Sequence, residues 1–269
     1  MAKKRLDVLL VEQGLADSRQ KAQAMIMAGQ VYAGERRCDK AGQTLAEGTV
    51  LEVRGQTMPY VSRGGLKLEK AVKVFSITLN NKIAADIGAS TGGFTDCMLK
   101  NGASKVYAVD VGYGQLAWTI RNDSRVVCLE RTNARYLTKE QIPESLDFAS
   151  VDVSFISLGL ILPALRPLLK DRGEVTALVK PQFEAGREKV GKKGVVRDPA
   201  VHLEVLEQFL HQADQFDFSV KGLDFSPVLG PEGNIEYLGY LRVGSGENRS
   251  YDLKELVRLS HETLKGGGQ

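Results

Sequence analysis

Lys82-Ile83-Ala84-Ala85-Asp86-Ile87-Gly88-Ala89-Ser90-Thr91-Gly92-Gly93-Phe94 is the stretch on which the fold turns. Ile83 to Ile87 is a short apolar run of the kind that a strand buried on both faces requires, with Asp86 near its carboxyl end. Gly88, Gly92 and Gly93 close a tight loop, and Phe94 to Leu99 begins a helix. Strand, glycine loop and helix, in that order, build the ligand crevice of an open α/β sheet beyond its strand ends. An ordinary strand-to-helix turn shares the pattern, so the decision rests with the rest of the chain.

Downstream the pattern repeats. Strands are expected at Lys105–Asp110, Arg125–Leu129, Leu146–Val151 and Glu174–Val179, with helices at Gln115–Arg121, Ile156–Leu169 (despite Pro163) and Pro199–Asp214. Asp198-Pro199 supplies the cap and first-turn pair of that last helix. Val220–Phe225 and Glu236–Val243 read as an antiparallel pair at one edge, and Tyr251–Leu264 as a final helix before a frayed Gly266-Gly267-Gly268 tail. A helix starting at Ser62 or Arg63 precedes the glycine loop, with Leu66, Ala71, Val72 and Phe75 near one face. This is a doubly wound, Rossmann-like α/β domain over residues 62–269. Residues 55–61, with Gly55 and Pro59, read as a linker, and residues 1–54 as a small α+β domain of two helices and short strands.

Composition bounds what such a chain does. Apolar residues make up 43%, charged residues 26% and the formal net charge is +3, ordinary for a globular protein with a real core. Nucleic-acid contacts must therefore come from local patches. Cys38, Cys97 and Cys128 are scattered, which suits reduced thiols in a cytosol and neither a disulfide scaffold nor a metal site. His202, His211 and His261 also lack metal-ligand spacing. No signal peptide or membrane span is expected: Ser157–Leu169 is too short and is broken by Pro163, Arg166 and Pro167. A cytoplasmic monomer is the expectation.

Asp110 ends the second strand, 22 residues after Gly88, where a carboxylate can accept both hydroxyls of a ribose. The spacing GxxxGG is not that of the dinucleotide fingerprint, and Asp86 would repel a pyrophosphate. An acid there suits a ligand with an ammonium group, which favours S-adenosylmethionine (SAM) over NAD. Trp118, the single tryptophan, and Tyr113 are expected to pack around this cofactor cleft.

Asp86-Ile87-Gly88-Ala89-Ser90-Thr91-Gly92-Gly93-Phe94 resembles the first SAM-binding motif of the FtsJ-type ribose methyltransferases. Thr91 and Phe94 depart from the Pro and Trp of that motif and match its TlyA, or hemolysin-like, branch of rRNA methyltransferases. The resemblance implies that this loop holds SAM, that Asp110 binds its ribose and that Asn133 lies near its adenine. It also implies a Lys-Asp-Lys-Glu tetrad. Lys67 comes from Ser62-Arg63-Gly64-Gly65-Leu66-Lys67-Leu68, Asp152 from Ser150-Val151-Asp152-Val153-Ser154, Lys180 from Leu178-Val179-Lys180-Pro181, and Glu236 from Asn234-Ile235-Glu236-Tyr237. The chemistry is coherent without the family. A ribose 2′-hydroxyl must lose its proton before it attacks a sulfonium methyl, and Lys180 can take that proton only when neutral. Burial between Val179 and Pro181 and repulsion from Lys67 favour the neutral amine, while Asp152 and Glu236 hold the amines in place.

Arg5-Leu6-Asp7, Gly14, Ser18-Arg19, Ala22, Ile26, Gly29, Val31, Lys40 and Gly42 resemble the S-four-type RNA-binding domain over residues 4–53. The resemblance implies contacts from Arg5, Arg19, Lys21, Arg36, Arg37 and Lys40 to the phosphates and shape of structured RNA. Arg63 is placed on the RNA side by its motif. Residues 180–197 carry six Lys/Arg against two Glu, so this Gly-punctuated segment, with Lys192-Lys193, reads either as a solvated loop or as an RNA-gripping lid. The leading expectation is a SAM-dependent ribose 2′-O-methyltransferase of ribosomal RNA, on a cytidine, acting on the RNA or an assembled subunit. The alternatives are a non-catalytic RNA-binding assembly factor and a hemolysin. The first lacks a reason for four such residues around a SAM loop, and the second lacks a signal or membrane-active stretch.

Overall fold

A computed structural model describes residues 3–27, 29–38, 40–54, 58–244, 246 and 250–265. Part of the expected linker, residues 55–57, and the tail from 266 lie outside the described residues. The chain divides into two compact units, Met1–Pro59 and Tyr60–Gln269.

In the first unit β1 (Lys3–Arg5) leads into α1 (Leu6–Glu12), followed by α2 (Arg19–Met27), β2 (Val31–Ala33), β3 (Arg36–Arg37), β4 (Thr44–Ala46) and β5 (Glu52–Val53). Leu6, Leu9 and Leu10 of α1 and Ala22 and Ile26 of α2 recur at helical spacing and bury together with Val31. Ser18 Oγ accepts the Lys21 amide and so caps α2. Gly14 and Gly29, both at positive φ, end the two helices. The strands form two small sheets, β1–β4 and β3–β2–β5. Strand β5 spans only Glu52–Val53, and β1 and β4 had no strand signal in the sequence.

The second unit opens with α3 (Gly64–Val74), β6 (Ile83–Ile87), α4 (Gly93–Lys100), β7 (Lys105–Val109), α5 (Trp118–Arg121), β8 (Val126–Leu129) and β9 (Leu146–Val151). It continues with α6 (Leu162–Leu165), β10 (Leu169–Val179), α7 (Pro181–Glu184), α8 (Pro199–Gln215), β11 (Phe218–Phe225), β12 (Tyr237–Val243) and α9 (Leu253–Lys265). The sheet order is β11-β12-β10-β9-β6-β7-β8. Strands β10, β9, β6, β7 and β8 run parallel, and β12 runs antiparallel to both β10 and β11. The expected α/β class and antiparallel edge are therefore observed. The expected helix over 156–169 is broken into a 3₁₀ turn at Leu158–Leu160, the four residues of α6 and a second 3₁₀ turn at Arg166–Leu168. Pro163 and Pro167 each lack the amide that a continuous helix would use. Likewise α5 keeps only the last four residues of the helix expected from Gln115.

Chain order reverses at β6, which pairs with β7 on one side and β9 on the other. That switch point opens a crevice at the carboxyl ends of the strands. Registers Ile87↔Val151 and Val179↔Tyr237 put the residues that follow β6, β9 and β10 and the residue that precedes β12 along this one edge. Among the described residues no helix is long and apolar enough to cross a membrane.

Candidate active site

The glycine loop is shaped by its backbone. Gly88, Ser90 and Gly92 have φ of 89°, 48° and 95°, so three residues of the five-residue turn are left-handed. At Gly88 a Cβ would lie 2.4 Å from the Asp152 carbonyl oxygen, so only glycine lets the loop press against the end of β9. The Gly88 and Ala89 amides both donate to Val109 O, at 2.9 and 3.0 Å, and Asp152 N donates to Ile87 O at 2.9 Å. Ser90 and Thr91 are exposed, whereas Gly92, Gly93 and Phe94 are buried under the start of α4.

Asp110 follows β7, and its carboxylate faces this loop. Oδ2 accepts the Ser90 amide and Oδ1 the Gly112 amide, each at 2.7 Å. Each oxygen keeps acceptor capacity, which fits the two hydroxyls of a ribose. Arg131 N donates to Gly112 O and Thr132 N to Asp110 O, which ties the segment bearing Asn133 to the same place. Asn133 is exposed and caps a 3₁₀ turn, Oδ1 accepting the Arg135 amide at 3.0 Å. The loop, Asp110 and the Asn133 segment together fit the adenosine part of SAM.

Two expectations are corrected. Asp86 does not face the crevice. It is fully buried, Oδ2 accepting the Thr95 amide and hydroxyl at 2.8 and 2.7 Å and Oδ1 the Ser150 hydroxyl at 3.0 Å. It bolts α4 and β9 to β6 and has no exposed surface of its own. Tyr113 and Trp118 do not pack either: they are 68% and 76% exposed, and Tyr113 carries the Arg131 guanidinium 4.3 Å from its ring centre. Tyr113 lies in the loop after β7 and Trp118 opens α5, and aromatic character alone did not bury either.

Burial pushes the Asp86 carboxyl up to about 6, against hydrogen bonds from Thr95 and Ser150 that pull it down. The folded chain thus holds a proton that the unfolded chain releases near its ordinary value of 3.8. Stability from this group falls as pH rises across that window, and the full cost, about 3 kcal/mol, applies above it. Asp86→Asn keeps the shape without the charge. Urea unfolding should show the variant more stable than the parent at pH 8 and the difference shrinking toward pH 4; equal slopes in both proteins would refute the assignment.

Beside the glycine loop the four expected side chains converge. Lys67 Nζ lies 2.6 Å from Glu236 Oε2 and 3.9 Å from Asp152 Oδ2, and Lys180 Nζ lies 2.5 Å from Asp152 Oδ1. Charges alternate along Glu236–Lys67–Asp152–Lys180, with Asp152 shared between the two amines. Lys67, Lys180 and Glu236 are buried, and Asp152 is the most open of the four. Each position has a local cause. Gly93 lets α3 approach α4, since a Cβ there would lie 2.9 Å from the Gly65 amide nitrogen. Lys180 has extended backbone at the end of β10, and Pro181 then starts α7. Glu236 Oε1 is buried with no hydrogen-bond partner among the described residues.

Two neighbours had no place in the sequence reading. Ser154 Oγ accepts from Lys180 Nζ at 3.2 Å. Phe155, at φ 63° and 92% exposed, lies 5.0 Å from Phe183, ring centre to ring centre. A Phe three residues after both Asp152 and Lys180 was the available signal.

Of the residues expected on the RNA side, Arg5 and Arg19 converge. Arg5 Nε and Nη2 donate to Asp7 Oδ1 and Oδ2, and Arg19 Nη2 to Oδ2, all at 3.0 Å. Those guanidiniums, with Gln23, hold the buried Asp7 carboxyl far below the usual carboxylate range, while both arginines stay half exposed. Lys21 pairs with Asp17 at 2.6 Å, and Arg36, Arg37 and Lys40 are exposed. In the second unit Arg63, Lys192 and Lys193 are exposed. Among the described residues no group of three or more His, Cys, Asp or Glu side chains could hold a metal.

Comparison with known proteins shows the family. The family model of FtsJ-like methyltransferases matches residues 60–243, and that of the S4 domain matches residues 4–51. The chain is 55% identical to the rRNA methyltransferase candidate YqxC of Bacillus subtilis, over 98% of this chain and 96% of that one. It is 42% identical to the 16S/23S rRNA (cytidine-2′-O)-methyltransferase TlyA of Mycobacterium tuberculosis, over 98% of each chain. A solved structure of a hemolysin candidate from Streptococcus thermophilus superposes with a TM-score of 0.79 at 50% identity, covering 99% of this chain and 98% of that one.

Proposed function

We propose that this chain, which belongs to the FtsJ-like methyltransferase family, methylates a ribose 2′-hydroxyl of ribosomal RNA, on a cytidine, in the cytoplasm. Its methyl donor is SAM. The observation that carries the reading is the alternating Glu236–Lys67–Asp152–Lys180 chain beside the glycine loop. SAM supplies an electrophilic methyl on a sulfonium. Lys180 takes the 2′-hydroxyl proton on Nζ as the oxygen–methyl bond forms and the sulfur–methyl bond breaks. Asp152 divides its two oxygens between the amines, so Lys67 draws part of its charge away from Lys180. Glu236 anchors Lys67, and Ser154 fixes the direction of the Lys180 amine. Phe155 offers an open face against which a nucleotide base can stack at the mouth of the crevice. The S4 domain, with Arg5 and Arg19 already oriented by Asp7, contacts RNA phosphates.

Incubation with methyl-labelled SAM and separated ribosomal subunits tests the reading: label should enter ribosomal RNA of at least one subunit. SAM binding with no label in either subunit would favour the non-catalytic RNA-binding alternative.

Arg187, Lys189, Lys192 and Lys193 lie on the exposed part of the loop after α7, and we assign that loop to RNA phosphates. Lys192→Gln/Lys193→Gln should lower the slope of log affinity against log salt by about 1.5. An unchanged slope would make the loop a solvated surface only.

A further inference from the structure

The loop between α7 and α8 is exposed over residues 187–189 and 191–194, yet it ends in a built anchorage. Val195 and Val196 are buried, and Asn234, 3% exposed, holds the backbone on either side of Val195. Its Oδ1 accepts the Val196 amide at 3.1 Å and its Nδ2 donates to Gly194 O at 2.9 Å. His202, on α8, adds a second hold. Its Nε2 lies 3.1 Å from Val196 O, which makes that nitrogen the donor, and its Nδ1 lies 2.8 Å from the Tyr237 hydroxyl. Asn234 is two residues before Glu236 and Tyr237 is one after it. The backbone that carries Glu236 is therefore pinned on both sides to the end of the basic loop.

Glu236 has little tolerance for displacement. A Cβ at Gly230 would lie 2.2 Å from its Oε1, and Gly230 N donates to Asn234 O at 2.8 Å, so the turn before β12 wraps the side chain closely. Oε2 is bonded to Lys67 at 2.6 Å, whereas Oε1 has no hydrogen-bond partner among the described residues. A shift of this segment moves the Lys67 anchor directly, and with it the share of Asp152 left to Lys180.

We propose that Asn234 is a positioning residue that couples RNA contact on the basic loop to the placement of Glu236 and Lys67. The inference rests on the reading of this site as an RNA methyltransferase centre. It extends that reading by making the lid part of the site's assembly as well as a grip on RNA. Side-chain hydrogen bonds at Asn234 and Glu236, joined by the backbone of residues 234–236, carry the coupling, which is the kind of link that a perturbation at either end can test.

Amide hydrogen exchange of the full chain, with and without ribosomal RNA, tests the coupling without requiring turnover. In the parent, RNA should slow exchange at 187–196 and also at 234–238. In Asn234→Ala it should slow exchange at the loop alone. An equal response of 234–238 in both proteins, or none in the parent, overturns the proposal. Kinetics give an independent readout. Asn234→Ala should lower kcat about tenfold with SAM affinity kept, and Lys192→Gln/Lys193→Gln should lower kcat in the parent but not further in that variant. Equal lysine effects in both backgrounds would make Asn234 merely structural. Asn234→Ser, which disturbs packing less, repeats the comparison if the alanine variant does not fold. A parent that transfers no methyl would refute the enzymatic reading, with the exchange experiment still deciding the coupling.

Discussion

Lys180→Arg will bind SAM as the parent does and will lose methyl transfer by about 10²–10⁴-fold. The substitution keeps a cation beside Asp152, so the ion pair and the local charge balance survive. What it removes is the capacity to shed a proton, since a guanidinium stays charged at any pH at which a protein folds. Lys180 is buried at the end of β10, with Asp152 Oδ1 at 2.5 Å and Ser154 Oγ at 3.2 Å fixing the place of its amine. Calorimetric titration with SAM and single-turnover transfer to ribosomal RNA separate the two effects. Near-parental transfer would exclude Lys180 as the base.

The second large effect concerns the fold. Glu236→Ala removes the 2.6 Å partner of Lys67 and leaves that buried ammonium, among the described residues, only Asp152, at 3.9 Å. Breaking one side of a buried pair costs about 3–5 kcal/mol, because a charge stays behind without compensation. Loss of the unpartnered Oε1 returns a part of this, and the cavity beside Gly230 takes more away. The melting temperature should fall by roughly 10 °C. Replacing both partners with apolar residues of similar size, as in Lys67→Met/Glu236→Leu, should restore much of the stability and none of the methyl transfer. That contrast separates a structural ion pair from one kept for chemistry. A melting temperature within a degree or two of the parent for Glu236→Ala would contradict the buried-charge account.

The parts of the fold that were legible in the sequence are those whose signal is local. Ile83–Ile87 and Leu146–Val151 are mostly apolar because parallel strands are covered on both faces, and Asp198-Pro199 marks the start of α8 by cap chemistry. The four residues that the family resemblance picked out by their local motifs are brought together by the fold, Lys67 from α3 and the other three from the strand ends beside the glycine loop. What the sequence hid depends on partners distant along the chain. Asp86 looked like a ligand acid until Thr95 and Ser150, the latter 64 residues away, were found to occupy its oxygens. Strands β1 and β4 exist because they pair with each other across the first unit, and neither carries enough alternation to be read alone. Trp118 and Tyr113 were misread because hydrophobicity reports a preference for burial, whereas their exposure is set by tertiary placement that no local pattern records. Asn234 gave no local signal, since its work is done on Gly194 and Val196, about 40 residues earlier.

The central claim is that this site methylates a ribose oxygen. Ribosomal RNA treated with the protein and isotopically methyl-labelled SAM, digested to nucleosides and weighed by mass spectrometry, addresses it directly. The account predicts the label on the ribose of cytidine, as the 2′-O-methyl nucleoside, and its disappearance with Lys180→Arg. Label on a base, or on ribose undiminished in that variant, would contradict it.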